Sequence, residues 1–124
     1  MSWNLTRLGI EHVVLERSRA FHGWHDERWD AFTLVTPNFQ CRLPDHSYDG
    51  DEPEGFMVKP DILAYLDGFL RELDPPLFEG VTAMRLSNAS DGGFELETTA
   101  GVVSAEQVVL AVGGYHTPLS LIHI

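Results

Sequence analysis

The 124-residue sequence predicts an α/β fold in which a parallel sheet carries an inserted antiparallel meander. Three features predict it. Ile10 to Glu16 centres on Val13-Val14-Leu15, an unbroken apolar run of the kind that parallel sheets bury on both faces. Pro60-Asp61 opens a helix whose Ile62, Leu63, Leu66, Phe69, Leu70 and Leu73 share one face. The last third shifts to the period of strands and ends in a second apolar run, Val108 to Val112, before Gly113-Gly114.

The elements follow in order. Trp3, Leu5 and Leu8, with Gly9 just after them, read as the last two turns of a helix closed by a glycine. A parallel strand entered from a helix needs an earlier strand beside it. None precedes Trp3, so either the helix packs some other way or the chain begins in the middle of its first unit. Residues 17–59 are loop-rich, with Pro37, Pro44 and Pro53, and with Phe21, Trp24, Trp29, Phe32, Phe39, Tyr48 and Phe56 interleaved. Connections this long and this aromatic usually cover a ligand or carry function. Asp45 to Glu54 holds five acids and no base, which reads as a solvated loop.

Pro75-Pro76 stops the central helix. Val81 to Leu86 reads as a strand, and Asp91-Gly92 supplies a turn pair. Phe94 to Thr98 alternates apolar and polar, and Ala100-Gly101 makes the next turn. Glycines after Val108–Val112 suit a sheet edge where a ligand approaches the backbone. The last six residues, Leu-Ser-Leu-Ile-His-Ile, match one translated frame of a transposase adapter end (CTG TCT CTT ATA CAC ATC). Residues 119–124 are therefore set apart from the domain, 1–118, as a non-native tail.

Composition excludes several classes. Nineteen acidic against eight basic residues give a net charge of -11, which argues against nucleic acid or an anionic membrane surface as a partner. No apolar run approaches the roughly 18 residues that a membrane helix requires. With 44% hydrophobic and 22% charged residues, the chain is globular and long enough for a real core. Cys41 is the single cysteine, so no internal disulfide forms and a cytoplasmic setting is expected.

Glu16 is the first candidate for chemistry. In a dinucleotide-binding fold, an acid ending the second strand accepts hydrogen bonds from the adenosine ribose. Alone, a strand-ending glutamate is usually just a solvated carboxylate. His22, His25 and His46 lack ligand pairs at zinc-like spacing and read as surface polarity, without a metal. Cys41 has no base beside it in sequence. Neither Gly-x-Ser-x-Gly nor a phosphate-loop motif is present.

The longer pattern is more specific. It runs from His12-Val-Val-Leu-Glu16-Arg17 through Trp24 and Arg28-Trp29-Asp30 to Leu34-Val35-Thr36-Pro37-Asn38. Leu43-Pro44, Tyr48, Gly55-Phe56, Tyr65-Leu66 and Ala111-Val112-Gly113-Gly114-Tyr115-His116-Thr117-Pro118 continue it. In this order and spacing, Met1 to Pro118 resembles the FAD-binding half of flavin-containing-monooxygenase-like oxidoreductases. The resemblance implies a partial Rossmann-like FAD-binding domain whose first strand and Gly-x-Gly-x-x-Gly turn lie upstream. An NAD(P)H domain would lie downstream.

By position, the resemblance implies Glu16 on the adenosine ribose with Arg17 beside it. Trp24, Arg28 and Trp29 would line the FAD cleft, and Thr36, Pro37 and Asn38 would approach the isoalloxazine. The Val81 backbone would meet the adenine, and Gly113 would close over the cofactor. Val112 stands where the family usually has threonine. The parent would use FAD, NAD(P)H and oxygen on a small-molecule substrate, while the chain as given would be inactive. No residue is assigned a catalytic role. The alternatives are a flavin-dependent reductase or dehydrogenase that does not hydroxylate, and a non-enzymatic acidic α/β binding module.

Overall fold

The computed structural model describes residues 1–113, which form two compact units, Met1–Thr82 and one that opens at Ala83. The expectations for Gly114 to Pro118 and for the 119–124 tail lie outside the described residues.

The first unit is built on one parallel crossover. Helix α1, Ser2–Arg7, ends as expected: Gly9 takes φ +66°, and Ile10 N–H donates back to Leu5 O at 2.9 Å. Strand β1, Val14–Glu16, then pairs in parallel with β4, Leu77–Glu79, in the register Val14–Leu77, Leu15–Phe78 and Glu16–Glu79. The sequence pattern does not reveal β4, because three residues after a double proline are too few to show a period.

Between these strands the aromatic segment folds into short pieces. Helix α2, His22–His25, comes first, then a 3-10 turn, Asn38–Gln40. A small hairpin of β2, Arg42–Leu43, and β3, His46–Ser47, follows. Helix α3, Lys59–Leu73, carries Pro60 in its first turn and Asp61 at the positive end of the dipole. Asp74 ends it in the left-handed region (φ 43°, ψ 58°) ahead of Pro75. Tyr65 of α3 pins the hairpin: its hydroxyl accepts Leu43 N–H at 3.0 Å and donates to His46 O at 2.9 Å.

The second unit is the expected meander, β5, Ala83–Asn88, β6, Phe94–Thr98, and β7, Gly101–Ala105, in antiparallel order. Its turns fall at Asp91-Gly92 and, one residue before the expected pair, at Thr99-Ala100, with Gly92 at φ +98° and Gly101, which opens β7, at φ +126°. The strand expected to open at Val81 begins instead at Ala83, after a break at Val81-Thr82.

Two expectations need correction. Val108–Val112 is not a strand, and Val109, Leu110 and Val112 are exposed. An apolar run becomes a buried strand only where neighbours pair with it, and the meander's ladder ends at Ala105. The core is also thin: among the described residues, Met57 and Ile62 are the buried hydrophobic side chains.

Candidate functional site

The carboxyl ends of β1 and β4 lie side by side, which is where α/β folds bind ligands. Glu16 ends β1 half-buried, and its Oε1 accepts the N–H of Ser18 at 2.9 Å. Val81 N–H donates to Glu16 O at 3.0 Å, and Gly80 N–H donates to Ser18 O at 3.0 Å. Two sequence-predicted residues 65 positions apart, Glu16 and Val81, are thus in direct contact. Arg17 follows Glu16 on the exposed side of the turn. Glu79 was not foreseen: it stands opposite Glu16 in register, and its Oε1 accepts Ala20 N–H at 2.6 Å.

The turn after β1 runs directly into α2. Arg19 grips Asp26 with two hydrogen bonds, Nε to Oδ2 at 3.0 Å and Nη2 to Oδ1 at 2.8 Å. The Arg19 hydrogen bonds hold the Asp26 carboxyl below its ordinary value of 3.8, with His22 adding to the effect and partial desolvation opposing it. Phe21 makes the bend into α2 at φ 55°, a backbone region that bulky side chains rarely adopt.

Trp24, Arg28 and Trp29 gather around Phe32. The Trp24 and Trp29 rings meet Phe32 edge-on at centroid distances of 5.9 and 5.0 Å. The Arg28 guanidinium sits 5.2 Å from the Trp24 ring and 5.5 Å from Phe32. Lys59 Nζ donates to Arg28 O at 2.7 Å, which ties this turn to the start of α3. Trp24 is half-buried, whereas Trp29 is 66% exposed and offers a ring face to solvent.

Thr36 and Pro37 are half-buried, and Asn38 is buried. The Asn38 amide is fully engaged within the protein. Its Nδ2 donates to Glu52 O at 2.9 Å and its Oδ1 accepts Met57 N–H at 2.8 Å. Asn38 therefore shapes the loop that carries Thr36 and Pro37. Cys41 packs behind it with Sγ 3.9 Å from Pro37 O, and burial pushes its thiol up from 9.0. Gly113, in the second unit, takes φ +72°, the conformation a tight backbone turn requires.

A cleft of about 610 Å³ lies along the hairpin and α3 and is lined by His46, Tyr48, Glu52, Phe56, Tyr65 and Glu72 among others. Asn38 is the predicted residue that reaches it. His22, His25 and His46 each face a different carboxylate, Asp26, Asp67 and Glu72 respectively.

The α/β fold is shared with solved flavin monooxygenases and a bacillithiol disulfide reductase. In sequence, the chain is 29% identical over 106 residues to an uncharacterized CzcO-like oxidoreductase of Geobacillus kaustophilus, covering 86% of this chain and 30% of the relative. No protein-family model matches it. In structure it is similar to the bacillithiol disulfide reductase Bdr (YpdA) of Staphylococcus aureus, with TM-score 0.73 at 12% identity over 85% of this chain and 31% of that one. A flavin-containing monooxygenase from Stenotrophomonas maltophilia matches with TM-score 0.70 at 18% identity, covering 85% and 32%. OTEMO, solved in complex with FAD and NADP, matches with TM-score 0.66 at 14% identity, covering 83% and 21%. The chain thus spans about 30% of the length of the curated relative. The α/β class and the resemblance to flavin-containing-monooxygenase-like oxidoreductases are both borne out.

Proposed function

We propose that this chain is the FAD-binding portion of a flavin-dependent, NAD(P)H-using oxidoreductase of the monooxygenase type. The observation that carries the reading is Glu16: a half-buried carboxylate at the carboxyl end of a parallel strand, held in place by the turn that follows it. Its chemistry fits the adenosine end of FAD, because a carboxylate accepts hydrogen bonds from both ribose hydroxyls. Val81 would present its backbone to the adenine from the adjoining connection. Trp24, Arg28 and Trp29 would offer ring faces and a cation along the cofactor, and Thr36 and Pro37 would supply close backbone approach.

The fit at the pyrophosphate is different. The 124 residues contain no Gly-x-Gly-x-x-Gly, the turn that sets backbone N–H groups and a helix start against the two phosphates. We assign that task to a longer parent protein. There, FAD would supply the redox chemistry, while these residues bind it, orient it and exclude water. The substrate would be a small molecule, with oxygen as the second reactant.

The test is Glu16→Ala in the longer protein. Removing a charged acceptor of about 1.5–3 kcal/mol should weaken FAD binding roughly ten- to a hundredfold. A variant that retains FAD like the parent through dialysis would refute the assignment. The likeness to a bacillithiol disulfide reductase favours a second reading, a reductase that does not transfer oxygen. Oxygen uptake coupled to NAD(P)H oxidation and to an oxygenated product supports the monooxygenase; a reduced product formed equally well without oxygen supports the reductase.

A further inference from the structure

We infer that Glu79 is a positioning residue for the adenosine-end pocket, acting on Glu16 through the turn 17–20. This rests on the reading of Glu16 given above. Three ties join the segment after β1 to the segment after β4: Glu16 O to Val81 N–H, Ser18 O to Gly80 N–H, and Ala20 N–H to Glu79 Oε1. The first two are backbone to backbone, so many residue types would supply them. The third depends on a side chain 59 positions away in sequence.

The charge arrangement makes that side chain informative. Glu16 and Glu79 are register partners on neighbouring strands, and like charges placed opposite each other are unfavourable. Each carboxylate offsets this by accepting a backbone N–H of the same turn, Ser18 for Glu16 and Ala20 for Glu79. The turn is therefore clamped at both ends by acids. Release of Ala20 frees the segment that carries Ser18 N–H, and with it the orientation of the Glu16 carboxylate. Glu79 need not touch the ligand to matter.

The experiment uses the longer parent protein, isotope-labelled for NMR, stripped of FAD and titrated with it, with Glu79→Ala and Glu79→Gln alongside. Glu79→Ala should speed hydrogen exchange at the Ala20 amide and weaken FAD-dependent shifts at residues 16–20 about three- to tenfold, without moving the melting temperature. Glu79→Gln keeps an oxygen acceptor and should restore both to near the parent. Unchanged Ala20 exchange, or an affinity loss that tracks a lowered melting temperature and is not rescued by glutamine, would overturn the role. If the unmutated parent shows no FAD-dependent shift at 16–20, the pocket reading itself falls, and the role of Glu79 with it. Normal shifts that Glu79→Ala leaves untouched overturn the role of Glu79 alone.

Discussion

Asn38 and Asp26 show how single side chains set the loops around the site. The Asn38 amide bridges Glu52 O and Met57 N–H from a buried position, so both of its polar ends are satisfied within the protein. Truncation leaves those two backbone groups without their partner, and each such loss costs about 1–2 kcal/mol. Asn38→Ala should therefore lower the urea midpoint by an amount equivalent to roughly 2–4 kcal/mol. Asp26 is a surface case with a definite sign. Its carboxyl titrates below 3.8 in the folded chain because Arg19 hydrogen-bonds the charged form. The stabilisation is thus fully present above 3.8 and is lost as the pH falls through the lower, folded value. A carbon-detected titration of Asp26 should give a midpoint below 3.8 that moves back up in Arg19→Gln. An unmoved midpoint would mean that the bidentate pair does not persist in solution.

At the level of elements, helix α3 is well specified at one end and strained at the other. Pro60 and Asp61 suit its start, and the apolar face around Ile62 follows a helical period. Its end places Asp74 in a left-handed conformation, with a negative charge at the negative end of the helix dipole. Glycine adopts that conformation without a Cβ penalty. Asp74→Gly should raise stability by about 1 kcal/mol, after the entropy glycine adds to the unfolded chain, and the melting temperature with it. A lower melting temperature would indicate that the Asp74 side chain has a role in the stop signal. The strands are less self-sufficient. β1 and β4 pair only over three residues each, and parallel pairs of that size depend on neighbours for burial.

For the whole molecule, the apolar residues left uncovered set the expected behaviour. Val13 and Phe78 of the first unit are half exposed, and Val109, Leu110 and Val112 of the second are more so. Uncovered apolar surface promotes association. The purified chain should bind a hydrophobic dye and self-associate despite its charge of -11. A monomer that leaves the dye dark would contradict this. It should also be colourless, because the turn that grips the pyrophosphate is not among its residues; a stoichiometric yellow protein after gel filtration would overturn that expectation. Thermal unfolding of the chain with and without residues 119–124 tests the adapter assignment. Deletion should leave the transition unchanged or improve solubility. A sharp transition abolished by deletion would make those residues native structure.

Much of this protein was legible in its sequence, for local reasons. Helix α3 is amphipathic over four turns, the meander alternates with turn glycines at Gly92 and Gly101, and Val14 to Glu16 combines an apolar run with a terminal acid. Each signal is local in sequence, so period and turn chemistry suffice. The tertiary structure alone decided what depends on pairing across distance. It made Leu77–Glu79 a strand by setting it beside β1, and it denied Val108–Val112 that state for want of a neighbour. It turned Asn38 inward to hold Glu52 and Met57, and it brought Glu79 to the turn beyond Glu16. The physical reason is common to all four. A strand edge or a buried amide is stabilised by whichever hydrogen-bonding partner the fold delivers, and no short stretch of sequence names that partner.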